Sequence, residues 1–299
     1  MKKKENLIAI IAIILSVIAI VISIIKTSNQ KNIELTQLSD HSSRQMMGYI
    51  LKTRNDKIIV IDGGTIDDTE NLVNQIKKHG GKVDAWFFTH LHDDHLGAFS
   101  KIANNEEIKI EKIYCSFNDY SWYEENEPAR AEFSKQILEI LKQDNIKEKV
   151  EEVKLNQNIN IDDINIEILG IKNPEITENA GNEQSMVIKF ETGKTTFLVL
   201  GDTGIKSSEK LLNTQKEKLK SDIVQMSHHG QNGATEELYK QINPTICMWP
   251  TPEWLWDNDS GNGKGSGIWK TLETRQWMEK LKVKKNYVEK DGDITIKLK

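Results

Sequence analysis

Three histidines and two aspartates lie within six consecutive positions of this sequence, at His90, His92, Asp93, Asp94 and His95. Imidazole nitrogens and carboxylate oxygens are the atoms with which catalytic zinc sites are built. The whole chain has seven histidines, and side chains of these types gain little from adjacency unless they share a cation. The spacing therefore predicts a metal-binding loop rather than a polar surface loop.

The elements around this loop place it at the end of a strand. A short apolar run ends at Phe88, directly before the loop, and a helical pattern begins at Leu96. Asp202 and the adjacent pair His228 and His229 also follow short apolar runs. Because side chains that follow strand ends emerge at a sheet edge, we expect these residues to converge on the loop.

Short apolar runs alternate with helical patterns throughout residues 44–299, in two halves of similar rhythm without a linker between them. This alternation predicts a layered α/β domain with sheets packed face to face and helices outside. The preceding residues are predicted to be a polar linker at 32–43 and, at 1–31, a short cytoplasmic stub followed by a transmembrane anchor.

The loop spacing His90-x-His92-x-Asp94-His95 resembles the signature motif of the metallo-β-lactamase fold superfamily. The other motifs of that superfamily follow in the expected order, as Asp62-Gly63-Gly64, Gly201-Asp202 and His228-His229-Gly230. The resemblance implies a four-layered αββα sandwich and two divalent metal ions. Zinc is the first expectation for nitrogen-rich ligands, with manganese and iron as alternatives.

The same resemblance implies a role for each matched residue. The expected metal ligands are His90, His92, Asp94, His95, Asp202, His228 and His229. Asp94 and Asp202 are also expected to be catalytic, Asp202 by bridging two ions that activate a shared hydroxide. Asp62 is expected to support the histidine loop.

One departure from the superfamily pattern concerns its third motif, which in many members supplies a histidine. No histidine lies between His95 and His228 here. Either one ion has fewer ligands, or His228 and His229 divide between the two ions, which we favour. The gap and the paired histidines resemble the branch that contains hydrolase domains of DNA-uptake competence channels and phosphorylcholine esterases.

The amino terminus carries an almost uninterrupted apolar stretch from Leu7 to Ile25, preceded by three lysines. A helix of this length rises about 28 Å, close to the thickness of the hydrocarbon core. A cleavable signal peptide is the alternative, but no small-residue cleavage site follows. The lysines predict a cytoplasmic amino terminus, so the stretch is predicted to be a single-pass anchor with the catalytic domain outside the cell.

The net charge of the chain after residue 31 bears on whether it binds nucleic acid. With the five lysines and one glutamate of residues 1–31 set aside, 35 basic and 44 acidic residues remain, a net charge of −9. This balance argues against general nucleic-acid binding, although a local basic groove is compatible with it. The branch resemblance and the predicted outward orientation imply hydrolysis of a phosphodiester or related ester, such as a cell-envelope component. The alternatives are an extracellular nuclease of the competence type and a metal-free binding module on the same fold.

Aromatic residues and cysteines complete the sequence predictions. Cys115 and Cys247 end apolar runs and are predicted to be buried and free, with one disulfide as the alternative. Aromatic side chains on two predicted loops are candidates for a substrate-binding wall or for packing over the core. They are Trp122, Tyr123, Trp249, Trp254 and Trp256.

Overall fold

The computed structural model describes residues 13–18 and 31–298. Residues 13–18 are helical, and the rest of the predicted anchor, Leu7 to Ile25, lies outside the described residues. Across the described ranges, no helix has both the length and the apolar character needed to cross a membrane. The chain divides into two compact units, one ending at Asn32 and the other beginning at Ile33.

The second unit contains a first seven-stranded sheet with the order β16-β1-β2-β3-β5-β7-β8. Antiparallel pairing joins β16, β1, β2 and β3, and parallel pairing joins β3, β5, β7 and β8. Its strands are β1 (Ile33–Gln37), β2 (Gly48–Lys52), β3 (Ile58–Asp62), β5 (Ala85–Phe87), β7 (Ile113–Cys115), β8 (Val150–Glu152) and β16 (Ile294–Leu298).

A second seven-stranded sheet has the order β15-β14-β13-β12-β11-β10-β9. Its strands are β9 (Asn158–Ile161), β10 (Ile164–Gly170), β11 (Val187–Glu191), β12 (Thr196–Val199), β13 (Ile223–Gln225), β14 (Ile246–Trp249) and β15 (Lys285–Val288). Two short strands, β4 (Lys82–Val83) and β6 (Lys109–Ile110), pair separately in parallel.

Helices cover the outer faces of the two sheets. They are α1 (Thr69–Lys78), α2 (Asp93–Ile102), α3 (Tyr120–Asn126), α4 (Ala131–Leu141), α5 (Ala180–Glu183), α6 (Ile205–Thr214), α7 (Glu236–Ile242), α8 (Glu253–Trp256) and α9 (Thr271–Lys280). A 3-10 turn, Ile66–Asp68, precedes α1. Apolar side chains at helical spacing, such as Leu72 and Ile76 of α1, face the sheets.

The core has three apolar layers. The central layer joins the inner faces of both sheets, for example Ile61 and Phe87 of the first sheet with Ile188 and Phe197 of the second. One outer layer packs α1, α2 and α4 against the first sheet, and the other packs α6, α7 and α9 against the second. This arrangement is the predicted sandwich of two sheets between helices.

The predicted linker at 32–43 is the main correction to the domain boundaries. Residues Ile33–Gln37 form β1, which lies inside the first sheet between β16 and β2. Ile33 and Leu35 are fully buried in the central layer. The short sequence IELTQ alternates polar and apolar residues, as a strand with one buried face does, and the compact unit therefore begins at this strand.

Two further patterns in the sequence differ from the structure. Helical spacing over 125–145 predicts one long helix, but the structure has α4 (Ala131–Leu141) and, before a break around Pro128, the last two residues of α3; the residue before a proline disfavours helical backbone. Pro250, Pro252 and the glycine-rich run Gly261–Gly267 predict a long loop, but the one-turn helix α8 lies within it. Cys115 and Cys247 are buried and free, as predicted.

Candidate metal centre

The histidine loop is fixed to the first sheet by Asp62, the last residue of β3. Its Oδ1 accepts the Thr89 backbone N–H at 2.8 Å, and its Oδ2 accepts the Thr89 hydroxyl at 2.6 Å. His95 Nδ1 lies 2.7 Å from Asp62 Oδ2. Because a carboxylate only accepts, His95 donates through Nδ1 and directs Nε2 elsewhere. This contact is the one expected for the aspartate of the first motif.

The paired histidines follow β13 in a turn with unusual backbone geometry. Both His228 and His229 have positive φ, 49° and 55°, a conformation uncommon for residues other than glycine and typical of functional sites. His229 Nδ1 donates to the Pro250 carbonyl at 2.8 Å, so its Nε2 is directed into the site. The His228 backbone N–H donates to the Gly201 carbonyl at 3.1 Å, which ties this turn to the one that carries Asp202.

Asp202 lies at the centre of the histidines. Its backbone N–H donates to Ser185 Oγ at 2.9 Å, and the buried Gln225 side chain donates to the Gly201 carbonyl at 3.0 Å. The Asp202 carboxylate is 3.2 Å from His95 Nε2, 3.8 Å from His90 Nε2, 3.6 Å from His229 Nε2 and 3.9 Å from His228 Nε2. The second sheet therefore presents one carboxylate to four imidazoles.

Several ligand atoms in this cluster are buried and have no hydrogen-bond partner. They are His90 Nε2, His95 Nε2, His229 Nε2, Asp94 Oδ1 and Asp202 Oδ1. Buried polar atoms left unpaired each cost about 1–3 kcal/mol, so a convergent set of them points to a missing partner. Nitrogen and carboxylate donors in this arrangement fit divalent cations.

Two groups of three side chains bring their ligand atoms within 4.8 Å of one another. Among the described residues these groups are His90, His95 and Asp202, and Asp94, His95 and His229. His229 Nε2 is 3.4 Å from Asp94 Oδ2, while His228 contacts only the Asp202 carboxylate among the expected ligands. His229 thus contacts both Asp94 and Asp202, whereas His228 contacts Asp202 alone, and both histidines lie nearest to the same oxygen, Asp202 Oδ2.

Electrostatics in the cluster favour bound positive charge. Burial opposes ionisation of Asp202, but the imidazoles of His95 and His229 outweigh it and hold its pKa well below the usual range. Burial likewise opposes protonation of His229, yet Asp202 and Asp94 raise its pKa to about 10. Burial and the neighbouring His95 hold the pKa of His90 well below its ordinary value. Two buried carboxylates therefore remain ionised and require cationic neighbours.

His92 differs from the other histidines of the loop. Its ring packs beside His90 at 4.4 Å between centroids, but it belongs to neither group of convergent ligand atoms. Its Nε2 lies 2.8 Å from Glu127 Oε1 instead. Glu127 was not predicted, because one glutamate among 45 acidic residues carries no spacing signal. Asn182, whose Nδ2 is 3.4 Å from His228 Nε2, is a second residue that sequence reasoning did not assign to the site.

Asp93 lies at the edge of the cluster and accepts hydrogen bonds from two arginines. Arg44 Nη2 and Arg130 Nη1 each donate to its carboxylate at 2.7 Å. The Arg130 guanidinium is also 3.8 Å from Asp94. Asp93 thus acts as a structural anchor beside the ligands, and the motif position it occupies is not part of the convergent set.

The aromatic residues proposed for a substrate wall lie mostly in packed positions. Tyr123 and Trp249 are 1% and 0% exposed, so they are core residues and that part of the prediction is wrong. Trp256 packs edge to face with Trp249, and the Arg275 guanidinium lies 4.0 Å from the centre of the Trp256 ring. Aromatic composition alone does not reveal which face of an element a side chain occupies.

Trp122 and Trp254, like Trp256, are partly exposed members of that aromatic set. The Trp122 indole donates to the Pro174 carbonyl, and the Trp254 indole donates to the Ser43 carbonyl. These bonds tie each ring to a neighbouring loop. No contact between either ring and the predicted ligands is found among the described residues.

Comparisons of the sequence with known proteins point to the same family of metal centres. The sequence profile described as the metallo-beta-lactamase superfamily matches residues 48–284. ComE operon protein 3 of Bacillus subtilis (strain 168) is 25% identical over 168 residues, which are 56% of this chain and 20% of that protein. This chain therefore matches about a fifth of the length of that curated relative.

Two solved structures share the fold at low identity. The metallo-beta-lactamase fold protein YhfI from Bacillus subtilis has a TM-score of 0.56 and 11% identity, covering 89% of this chain and 100% of that chain. Zn(2+)-bound PqqB from Methylobacterium extorquens has a TM-score of 0.54 and 9% identity, covering 89% and 100%. With four motifs in order, two sandwiched sheets and a profile match over most of its length, this chain belongs to the metallo-beta-lactamase superfamily.

Proposed function

We propose that this chain is a metal-dependent hydrolase that acts on a phosphodiester or a related ester and holds two divalent cations, zinc in the first instance. The observation that carries the proposal is the set of buried, unpaired ligand atoms around Asp202. Asp94, His95 and His229 would hold one cation. Asp202 and His90 would hold the other, with His228 3.9 Å from the same Asp202 oxygen.

The bound cations would supply Lewis acidity and lower the pKa of coordinated water toward neutrality. The chain itself supplies rigid ligands. Asp62 and the Pro250 carbonyl take the Nδ1 protons of His95 and His229, which keeps both Nε2 atoms directed at Asp202. Such outer contacts fix the tautomer and ring orientation of a ligand.

A cavity of about 410 Å³ lies against His228 and supports the choice of substrate class. It is lined by Lys206 and by the amides of Asn179 and Asn232, with Glu178 and Glu183 at its sides. The Lys206 ammonium, which lies 3.0 Å from the Glu178 carboxylate, and the two amides provide donors for phosphate oxygens. His228 is the expected ligand with the most exposed side chain, at 20%, so substrate would approach from this side.

Hydrolysis assays test this proposal. The full-length chain, loaded with zinc or manganese, is assayed on bis-p-nitrophenyl phosphate, p-nitrophenylphosphorylcholine and p-nitrophenyl acetate. We expect turnover of the phosphodiesters to exceed that of the carboxylic ester. His95→Ala should lower it about 100-fold or more, since a ligand is lost. His41→Ala, an exposed histidine outside the cluster, is the control. Faster hydrolysis of the acetate would contradict the substrate class.

Nuclease action is the second candidate. It is favoured by the similarity to ComE operon protein 3 over 168 residues and by the competence-type arrangement of the paired histidines. The net charge of −9 on residues 32–299 weighs against it. Cleavage of single-stranded DNA that exceeds turnover of p-nitrophenylphosphorylcholine would favour the nuclease. Absence of bound metal would instead favour a binding module.

The cellular placement is part of the same proposal. The apolar stretch from Leu7 to Ile25 would anchor the chain as a single span, with the lysines before it in the cytoplasm and the hydrolase domain outside. Protease treatment of intact cells should then remove the domain while cytoplasmic controls survive. Protection of the domain in intact cells would contradict this orientation.

A further inference from the structure

The histidines of the cluster use their two ring nitrogens differently. In His95 and His229, Nδ1 is bonded to a protein acceptor and Nε2 faces Asp202. His90 follows the same pattern, with Nδ1 at 3.1 Å from the Thr89 hydroxyl. In His92 the pattern is reversed, because it is Nε2 that lies 2.8 Å from the Glu127 carboxylate.

The structure around Glu127 holds its carboxylate in place. Glu127 follows α3, and its backbone N–H donates to the Tyr123 carbonyl at 2.8 Å. Its side chain is 16% exposed, and Oε2 is buried without a partner. Gly181 of α5 lies directly against the contact, since a Cβ there would be 2.2 Å from both His92 Nε2 and Glu127 Oε2. The pair is therefore packed against bare backbone.

The chemistry of the two groups fixes the tautomer. An ionised carboxylate only accepts hydrogen bonds, so His92 Nε2 must carry the hydrogen in this contact. The remaining lone pair of a neutral His92 is then on Nδ1. Glu127 Oε1 is at hydrogen-bond distance from His92, and Glu127 belongs to neither convergent group of ligand atoms among the described residues.

Resting on the metal site of the proposed function, we propose that Glu127 is a positioning residue that fixes the ring and tautomer of His92, so that Nδ1 is the nitrogen left free to bind a cation. Glu127 thus gives His92 the kind of acceptor that Asp62 gives His95. Carboxylate–histidine pairs of this kind typically contribute 10–100-fold in metal affinity.

Selective ¹⁵N labelling of histidine in the full-length chain tests the tautomer directly. In the chelator-treated wild type, long-range ¹H–¹⁵N spectra should show His92 with its hydrogen on Nε2. Glu127→Gln keeps a carbonyl acceptor and should preserve this single tautomer, while Glu127→Ala should give a mixture of the two tautomers. A wild-type His92 with its hydrogen on Nδ1 would overturn the proposal, and this measurement does not depend on metal binding or activity.

Metal affinity, measured by competition with a chromophoric chelator, separates positioning from direct ligation. Glu127→Ala should weaken one of the two cations about 10–100-fold, while Glu127→Gln should stay within about threefold of wild type. Glu127→Gln falling as far as Glu127→Ala would mean that the carboxylate is itself a ligand and would overturn the proposal. Glu125→Ala, an exposed glutamate of α3, is the matched control. Absence of metal from every variant, with the predicted tautomer present, would refute the proposed function alone.

Discussion

Asp62 is a fully buried carboxylate at the end of β3 whose acceptors are all used within the site. It binds the Thr89 backbone and hydroxyl as well as His95 Nδ1, so it fixes both the start of the histidine loop and one of its rings. Its influence on a metal would be exerted through His95. In each such histidine, the acceptor bonded to one ring nitrogen thus decides whether the other nitrogen offers a lone pair.

Asp62→Asn tests this dependence. The asparagine oxygen can still accept the Thr89 N–H, but its amide nitrogen cannot accept from His95 Nδ1, so the preferred tautomer is lost. We expect about 10–100-fold weaker metal binding, measured by chelator competition. Asp84→Asn, which removes acceptors for Ile58 and Lys57 away from the site, should leave metal affinity unchanged. Equal losses in the two variants would contradict the role of Asp62.

Glu289 is a buried carboxyl group for which the described structure provides no hydrogen-bond partner, at 1% exposure. Burial raises the pKa of Glu289 well above its ordinary value, and the carboxylates of Asp40 and Asp68 raise it further against the opposing effect of His229. The folded chain therefore retains a proton that the unfolded chain releases above about pH 4.5. The stability that this group contributes is lost as the pH rises from there toward the folded pKa.

Glu289→Gln keeps the shape of the side chain and removes its ionisation. We expect the variant to be more stable than wild type by about 1–3 kcal/mol at pH 7 and to show little gain at pH 4. Urea unfolding at the two pH values, at a fixed metal concentration, measures the difference. Glu106→Gln, an exposed glutamate, should change neither value. A gain that is the same at both pH values would rule out ionisation as its cause.

At the scale of elements, α2 carries Asp94 and His95 in its first turn and is pressed against the chain before α1. Gly97 allows this approach, since a Cβ there would lie 2.5 Å from the Ile66 nitrogen and 2.7 Å from the Thr65 carbonyl carbon. These neighbours are backbone atoms and cannot rotate away. The Gly64 N–H donates to the His95 carbonyl at 3.1 Å and so ties the first turn of α2 to the chain after β3.

Gly97→Ala places two effects in opposition. Alanine stabilises a helix interior by about 1 kcal/mol relative to glycine, whereas overpacking against rigid neighbours costs about 1–3 kcal/mol. We expect the steric effect to prevail, with a net loss of stability of about 1–2 kcal/mol in urea unfolding. Because α2 must shift, metal affinity should fall as well. Lys101→Ala, on the exposed face of α2, is the control, and a stabilised Gly97→Ala would refute the packing argument.

β1 is an element whose removal has a clear consequence for the first sheet. It pairs with β16 from Ile33↔Leu298 to Gln37↔Ile294 and also with β2. A chain that begins at residue 44 leaves the edges of β2 and β16 unpaired, and unpaired apolar edges promote aggregation. We expect that chain to be insoluble and a chain that begins at residue 32 to be soluble and folded. Cooperative unfolding of the shorter chain, followed by circular dichroism, would contradict this expectation.

Much of the fold follows from local pattern. The strands that end at Asp62, Phe87 and Val199 were predictable because continuous apolar runs mark buried strands, and the ligands directly follow such runs. β1 was not predicted, since five alternating residues beside a polar segment resemble a linker. Contacts that depend on distant segments, such as Glu127 with His92, leave no local pattern to read.

At the scale of the whole molecule, the site depends on the two sheets meeting face to face. The first sheet contributes Asp62 and the histidine loop after β3 and β5, and the second contributes Asp202 and the paired histidines after β12 and β13. Backbone bonds join the parts, as from Met186 N–H to the Thr89 carbonyl at 2.9 Å. Neither sheet alone could assemble the cluster, so metal binding should report on the intact sandwich.

Elemental analysis of metal in the purified full-length chain tests the central claim most directly. We expect about two divalent ions per chain in the wild type, as the two convergent groups of ligand atoms imply, and a clear loss of metal in Asp202→Ala. Asp222→Ala, which removes a structural carboxylate bonded to Thr196, should retain the metal. A wild-type chain that holds no metal after dialysis against zinc and against manganese would contradict the metal centre and leave a superfamily fold used for binding.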